Sequence, residues 1–295
     1  MKSQTGARLQ VAAAALLFSI GGAGIKACEL TSWQIAGFRS GVAALTIFIL
    51  LPDCRRGWTW RSVLVGTTYA ATMMLFVLAN KLTTSANTIF LQSTAPLYVL
   101  LLGPWFLGEK SRRSDLLVMA MVIAGLCLFF VGNQAPLRTA PAPLQGNLLA
   151  VASGVTWALT IMGMRRLGRD QAAGRGSAAP AVVLGNVIAF VASLPFALPV
   201  THARLLDVWI VIGLGTVQIG VAYLCLTRAL QTVPAFEAMI LLLLEPALNP
   251  IWAWLIHGER PGGWAILGGA LILGATGLKT WWDSRGSRSI EPLGP

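Results

Sequence analysis

Ten apolar segments recur along this 295-residue chain, and each is close to the length that a helix needs to cross a lipid bilayer. About 20 residues of α-helix span about 30 Å of hydrocarbon. Charged residues make up only 11% of the chain, whereas a soluble protein carries about 25%. The sequence therefore predicts an all-α polytopic membrane protein, with ten transmembrane helices at residues 9–27, 33–51, 62–80, 85–107, 114–132, 145–165, 180–200, 207–227, 234–256 and 263–282.

The first segment has features of a signal peptide, because Lys2 and Arg8 precede an alanine-rich run. Nine similar segments come after it, however, and the chain contains no soluble domain of useful size. We therefore expect this segment to be retained as a membrane span.

Basic residues in the connections predict the orientation of the chain. If the N-terminus lies in the cytoplasm, sixteen lysines and arginines face the cytoplasm and five face outwards, with Arg39 inside the second helix. Cytoplasmic loops of membrane proteins carry such an excess of basic residues. We expect a multi-pass protein of the bacterial inner membrane with both termini cytoplasmic, and the net charge of +11 then needs no nucleic-acid partner. The outward residues are Lys26, Lys81, Arg138, Arg204 and Arg260.

Two stretches that lie 150 residues apart share a pattern. Ala95-Pro96 corresponds to Glu245-Pro246, and the Gly-Glu-Lys sequence at 108–110 corresponds to the Gly-Glu-Arg sequence at 258–260. Proline removes a backbone hydrogen bond, so we expect both helices to be weakened at this point. The charges at 109–110 and 259–260 end their helices on opposite faces. We expect solvated loop charges there, with a gating role through pairing between loops as the alternative.

The repeated pattern predicts two halves of five helices each, at residues 1–137 and 138–295. Five is an odd number of crossings, so the second half begins on the opposite face of the membrane and is an inverted repeat of the first. Secondary transporters commonly have this architecture, with the substrate bound near the midplane between the halves.

Several short motifs resemble EamA-type members of the drug/metabolite transporter superfamily. Residues 153–158, followed by Arg165-Arg166, resemble the start of that family's second repeat, and residues 269–274 resemble its last helix. The two proline-containing stretches are similar to its fourth and ninth helices, and Phe38-Arg39 is similar to its second-helix arginine. The resemblance implies a ten-helix exporter of small metabolites that works by alternating access around a central cavity.

Two positions depart from the family pattern. Phe18-Ser19 stands where Trp-Gly is frequent, and Glu245 stands where an apolar or aromatic residue is common. The resemblance implies that both positions line the cavity. Amino-acid exporters of the YddG type are the subgroup that we expect. Aromatic or hydrophobic amino acids are the favoured substrates, because a mostly apolar cavity with one acid suits an amine on an apolar body.

Glu245 is the clearest candidate for a substrate contact. A carboxylate near the middle of a span costs about 2.5–3.5 kcal/mol on insertion scales, so such a residue usually faces a cavity or a partner. It shares a helix face with Asn249. We expect it to bind a substrate amine or to take up a proton that couples transport, with a structural ion pair to Arg39 as the alternative. Arg39 in turn is expected either to bind a substrate carboxylate or to extend towards the outer surface.

Other polar and aromatic residues lie in the middle of spans, with helix packing as the alternative for each of them. Trp157 is too far from either interface to be an interfacial anchor, so it is expected to stack on a flat substrate or to pack in the core. The full set of predicted substrate-binding residues is Phe18, Arg39, Tyr69, Asn87, Gln92, Tyr98, Trp157, Gln218, Glu245 and Asn249.

The sequence predicts no catalytic, metal or cofactor site. The four cysteines lack ligand spacing, and His202 and His257 are predicted to stand alone in outer connections, which argues against an intramembrane enzyme. Residues 103–111 resemble a nucleotide-binding loop, but this stretch is one residue too long and ends a helix. We expect membrane lipid and a small-molecule substrate as partners, no nucleic acid or nucleotide, and a monomer or homodimer. A passive channel or facilitator is the alternative function.

Overall fold

A computed structural model describes residues 4–107, 113–131, 138–172, 178–229, 241–242 and 244–288. Within these ranges the chain is helical apart from short connections and has no β-strand, which confirms the all-α class. A π-helical segment, Leu214–Val221, joins α10 to α11. The helices are α1 (Gln4–Ser19), α2 (Gly21–Ala27), α3 (Ser32–Leu50), α4 (Trp60–Leu82), α5 (Ser85–Gln92), α6 (Ala95–Leu107), α7 (Arg113–Val131), α8 (Pro143–Ala172), α9 (Ala179–Ala197), α10 (Leu205–Gly213), α11 (Ala222–Ala229), α12 (Leu244–His257) and α13 (Gly263–Arg288).

Seven stretches of the described chain are long and apolar enough to cross a membrane, which confirms the multi-pass prediction. They are Thr5–Ala27, Ser32–Leu50, Trp60–Leu82, Ser85–Gly103, Pro143–Met164, Ala179–Ala197 and Leu205–Ala229. The described helices overlap all ten predicted segments, although residues 234–240 of the ninth segment and the Glu109-Lys110 pair lie outside the described residues.

Three of the predicted helices are interrupted rather than continuous. The first is interrupted at Ile20, between α1 and α2, and the fourth at Ser93 and Thr94, between α5 and α6. At the second interruption the Thr94 hydroxyl donates a hydrogen bond to the Leu91 carbonyl at 2.6 Å. Pro96 follows, and its missing N–H leaves the helical hydrogen bond to the carbonyl four residues earlier unmade. The eighth helix changes to π geometry at 214–221.

Most of the larger contacts between helices keep the same pattern when the first five predicted segments are exchanged with the last five, although the α3–α4 contact has no counterpart of similar extent between α9 and the described helices of the eighth segment. In the first half, α4 packs on α8 and on α9. In the second half, the corresponding contacts are those of the π segment and α11 with α1, and of the π segment with α3. Likewise α5 and α6 contact α8, as α12 contacts α1 and α2. The pairs α3–α9 and α7–α13 are their own counterparts under this exchange. Two similar halves related by a pseudo-twofold axis produce such a pattern.

Glycine brings the backbones of α4 and α9 close together at one point. A Cβ atom on Gly185 of α9 would overlap Cδ1 of Tyr69 and would lie 2.8 Å from the carbonyl oxygen of Gly66, both on α4. Small residues permit this approach inside lipid, where helix association depends on close packing.

We predict that Gly185→Ala lowers the apparent melting temperature in detergent, because the added methyl group meets a backbone oxygen that cannot rotate away. Overpacking of this kind costs about 1–3 kcal/mol. Gly274→Ala in α13 is the matched control, since a Cβ there would have no atom of a described residue within 4 Å. Fluorescence-detected size-exclusion chromatography after heating measures both variants, and equal melting temperatures would contradict the close approach.

Candidate functional site

A cavity of about 130 Å³ lies between helices of both halves. A single water molecule needs about 10–15 Å³ of cavity volume, so a cavity of this size can hold a small organic molecule. Six of the ten predicted binding residues line it, namely Phe18, Arg39, Gln92, Trp157, Gln218 and Glu245.

The irregular parts of the helices meet at this cavity. Gln92 and Ala95 lie on either side of the interruption between α5 and α6, Ser93 lies within it, and Glu245 and Pro246 of α12 line the cavity from the opposite half. The π segment contributes Gln218 and Ile219 as well. Proline-interrupted helices at corresponding positions of two repeats are the usual place of a transporter's binding site.

Arg39 is buried inside the bundle. It is 1% exposed, its Nη2 atom donates to the Met73 carbonyl at 3.1 Å, and its Nε atom has no hydrogen-bond partner among the described residues. No carboxylate of the described chain lies within 4.0 Å of its guanidinium nitrogens. The predicted extension towards the outer surface is therefore wrong, and so is the alternative of an ion pair with Glu245.

Glu245 lines the same cavity, and it makes no hydrogen bond or ion pair with any residue of the described chain. Tyr223 lines the same cavity as Glu245 and Arg39. The cavity thus contains one fixed cation and one acid that are not neutralised by each other.

Aromatic rings form part of the cavity wall. The rings of Phe18 and Tyr223 are in edge-to-face contact, with centroids 5.1 Å apart and an interplanar angle of 68°. Tyr69 lies behind Tyr223 at 5.4 Å and is 1% exposed, and its hydroxyl accepts a hydrogen bond from Asn186. Tyr69 therefore orients the wall without lining the cavity. Trp157 reaches the cavity directly, as one of its two predicted roles requires.

Two amides provide polar groups at the cavity surface. The Gln92 amide nitrogen donates to the Ser153 hydroxyl at 2.7 Å, which fixes its orientation. The Gln218 carbonyl oxygen is buried and has no hydrogen-bond partner in the part of the chain that the structure describes. Buried polar atoms without partners are rare in folded proteins, so this oxygen is available to a donor on a ligand or to water.

Three further predicted residues stand away from the cavity. Asn249 is fully buried and packs against Gly22, where a Cβ atom would lie 2.8 Å from its Oδ1 atom. The Asn87 amide donates to Thr83 and to Asn147 in a buried polar network. Tyr98 is partly buried and packs against the hydrophobic core.

Several cavity residues are absent from the predicted set. They include Thr72, Met73, Phe76, Ile161 and Tyr223. Of these only Tyr223 carries a signal in the sequence, as a polar aromatic residue in the middle of a span. The others are apolar or small, and nothing distinguishes them from residues that face lipid.

His257 also differs from its prediction. It is the last residue of α12 rather than a free loop residue, and its Nε2 atom lies 2.8 Å from the Ala23 carbonyl oxygen.

These features define a polytopic helical membrane protein with a central cavity, and comparison with known proteins gives its family. The model of the EamA-like transporter family matches residues 6–131 and again residues 144–280. The chain belongs to the EamA-like transporter family, within the drug/metabolite transporter superfamily as the motifs had suggested. Members of this family are membrane transporters, which excludes an intramembrane enzyme.

One solved crystal structure is similar to this chain with a TM-score of 0.66. The alignment covers 96% of this chain and 99% of the other chain at 18% sequence identity, so the similarity shows the fold alone. No match was found among curated proteins.

We predict that Ser93→Cys, in a variant that lacks the four native cysteines, reacts with a small hydrophilic thiol reagent, because Ser93 lines the cavity. Ser40→Cys is the matched control, since Ser40 is fully buried in α3 and does not line the cavity. Mass spectrometry after a timed exposure measures the two rates, and equal rates would contradict a water-filled cavity at this position.

Proposed function

We propose that this protein is a secondary transporter that exports small zwitterionic metabolites, with aromatic and hydrophobic amino acids favoured, by alternating access around the central cavity. One observation carries the proposal. Arg39 and Glu245 line one cavity, and neither is paired with an opposite charge of the described chain.

Unpaired charges at this depth destabilise the folded protein, so charges that are retained there indicate a functional site. An amino acid carries a carboxylate and an ammonium group on one carbon atom. The planar guanidinium of Arg39 suits the carboxylate, because it offers two parallel N–H donors. Glu245 suits the ammonium group. Binding of the zwitterion would satisfy both protein charges at once.

Aromatic residues of the cavity would contact the apolar part of the ligand. Phe18, Phe76 and Trp157 line the same cavity as the two charges. Aromatic rings bind flat apolar groups through burial and through edge-to-face contacts. A mostly apolar cavity with a few polar groups is the usual form of a small-molecule site.

Alternating access follows from two similar halves in opposite orientations. The exchange symmetry of the helix contacts and the double family match support ten crossings in two inverted repeats. We place both termini in the cytoplasm of a bacterial cell on the basis of the loop charges, with the division between the halves at residue 137. Rocking of the halves around the cavity would then expose it to each side in turn.

Proton coupling is part of the proposal. A protonated Glu245 carries no charge and cannot pair with an ammonium group, so proton binding and substrate binding compete at one carboxyl group. This competition exchanges an entering proton for a leaving substrate. We predict that Glu245→Gln abolishes acceleration of amino-acid flux by a pH gradient in proteoliposomes, and a flux that still responds to the gradient would contradict coupling at this residue.

A passive channel or facilitator is the alternative function. Its flux would rise in proportion to substrate concentration and would not respond to a pH gradient. Saturable flux and counterflow of labelled amino acid against unlabelled amino acid favour the transporter.

The two charges make separate predictions about ligand chemistry. Phenylalanine carries both groups, phenethylamine lacks the carboxylate, and 3-phenylpropionate lacks the amine. We predict that Arg39→Gln removes the preference for phenylalanine over phenethylamine, whereas Glu245→Gln removes the preference over 3-phenylpropionate. Loss of one buried charge partner costs about 2–5 kcal/mol, which is a factor of about 30 or more in affinity.

Competition of each compound in counterflow measures these preferences. Glu29→Gln is the control, because Glu29 is an exposed carboxylate whose side chain is 67% accessible. If Arg39→Gln and Glu245→Gln reduce binding of all three compounds equally, the two residues stabilise the fold and do not read the ligand.

A further inference from the structure

A buried ion pair joins the two halves at one end of the bundle. We call this the Lys26 end, where α2, α4, α9 and α12 end and α3, α5, α8 and α10 begin. Lys26 follows the first interruption of the chain, and Glu259 follows α12. Their charged atoms lie 3.0 Å apart, and both side chains are only 4% exposed.

Backbone groups of neighbouring elements complete this ion pair. The Ser85 amide, in the first turn of α5, donates to the second Glu259 oxygen at 3.0 Å. The Lys26 ammonium donates to the Thr83 carbonyl at 2.8 Å and to the Thr139 carbonyl just before α8. The pair therefore ties α2, the α4–α5 connection and the approach to α8 to the end of α12.

Other charged groups lie around the pair. The Lys81 ammonium donates to the Cys28 carbonyl and adds a second positive charge near Lys26. Arg204 forms ion pairs with Glu29 and Asp207, and the Glu29 amide donates to Asp207. In contrast to the Lys26–Glu259 pair, the Arg204–Glu29 pair is largely in solvent, with side chains 45% and 67% exposed. The two pairs thus differ in burial while both connect the halves of the chain.

Burial decides which of these pairs can hold the end closed. An exposed ion pair contributes little, because water solvates both charges equally well when they separate. A buried pair is different, since removal of one member leaves the other as an uncompensated charge in a dry site. That change destabilises only the arrangement in which the site is dry. When the helix ends move apart, water reaches the remaining charge and the penalty disappears.

We propose that the Lys26–Glu259 pair is a latch that closes the outward mouth of the transport path, and that the described conformation is the one with this mouth shut. The proposal rests on the alternating-access function proposed above. Glu259 thereby becomes a conformational element, because its contacts reach across 233 residues of sequence to Lys26. Of the two roles predicted for the charges that follow the ninth segment, Glu259 then has the gating role and is not a solvated loop charge.

Cys28 is a native reporter of this mouth. It is 1% exposed, follows directly after α2, and burial raises the pKa of its thiol to about 11. A buried protonated thiol reacts slowly, because the thiolate is the reactive form. Opening of the Lys26 end would expose Cys28 to solvent and return its pKa towards the ordinary value, and both changes accelerate modification.

Cys54 reports the opposite end of the bundle. It lies in the turn Pro52–Arg55 between α3 and α4, is fully buried, and has a thiol pKa that burial also raises. Two single-cysteine variants, one with only Cys28 and one with only Cys54, therefore measure the two ends separately.

The test is the rate of maleimide modification of each reporter in purified, detergent-solubilised protein. We expect Glu259→Gln and Lys26→Met to accelerate modification of Cys28 by about tenfold or more, as a shift of population towards the open end requires. Modification of Cys54 should be no faster in the same variants. Glu29→Gln, which breaks the exposed pair, should leave both rates unchanged.

Two results would overturn the latch. Modification of Cys28 at the original rate in both Glu259→Gln and Lys26→Met would show that the pair does not hold this end shut. Faster modification of both Cys28 and Cys54 would show that the pair supports the whole fold. The assay needs no substrate, so its outcome is independent of amino-acid transport. Counterflow that fails for the native protein, together with faster modification of Cys28 alone, would refute the proposed substrate and leave the latch standing.

Discussion

The separation of Arg39 from Glu245 inside one cavity is the constraint on which the site depends. In a low-dielectric interior, opposite charges attract strongly and pair wherever the backbone allows it. Packing around α3 prevents this movement. A Cβ atom on Gly215 of the π segment would lie 2.7 Å from the Arg39 carbonyl oxygen, and one on Gly37 would lie 2.9 Å from Ser193 of α9. The close approach of helices on both sides holds the backbone of Arg39, while the Met73 carbonyl holds its guanidinium group.

Two pairs of opposite charges in this protein therefore differ in whether their members contact each other. At the Lys26 end a buried cation and anion are paired, and backbone groups complete their coordination. In the central cavity neither the cation nor the anion is paired with an opposite charge of the described chain. In the transport cycle that we propose, the first arrangement favours closure and the second favours binding. The helix interruptions at Ile20 and at Ser93 lie in the same two segments of the chain as Lys26 and the cavity residue Gln92.

The membrane spans and several cavity residues could be predicted from the sequence. The physical reasons for this also explain which features could not be predicted. Apolar length alone predicts spans, because a bilayer imposes its thickness on every helix. A cavity position can be predicted for Glu245, Arg39 and Trp157, because charged or bulky polar groups at mid-span are costly unless they face a cavity or a partner. Asn249 was placed on the Glu245 face by helical spacing, yet it packs under Gly22, since tilt and packing of α12 set which part of a face meets the cavity. The π segment contains no proline, so nothing in the sequence signals it. The pairing of Lys26 with Glu259 joins distant parts of the chain, so no local pattern contains it.

The most direct test of the central claim is a crystal structure with 4-bromophenylalanine bound, with data collected at the bromine absorption edge. We expect an anomalous bromine peak within the cavity, beside Trp157 and Phe76, with the ligand carboxylate at the Arg39 guanidinium and the ammonium group at Glu245. A peak outside this cavity, or a ligand in the cavity whose charged groups contact neither Arg39 nor Glu245, would contradict the claim that these two charges are reserved for one zwitterion.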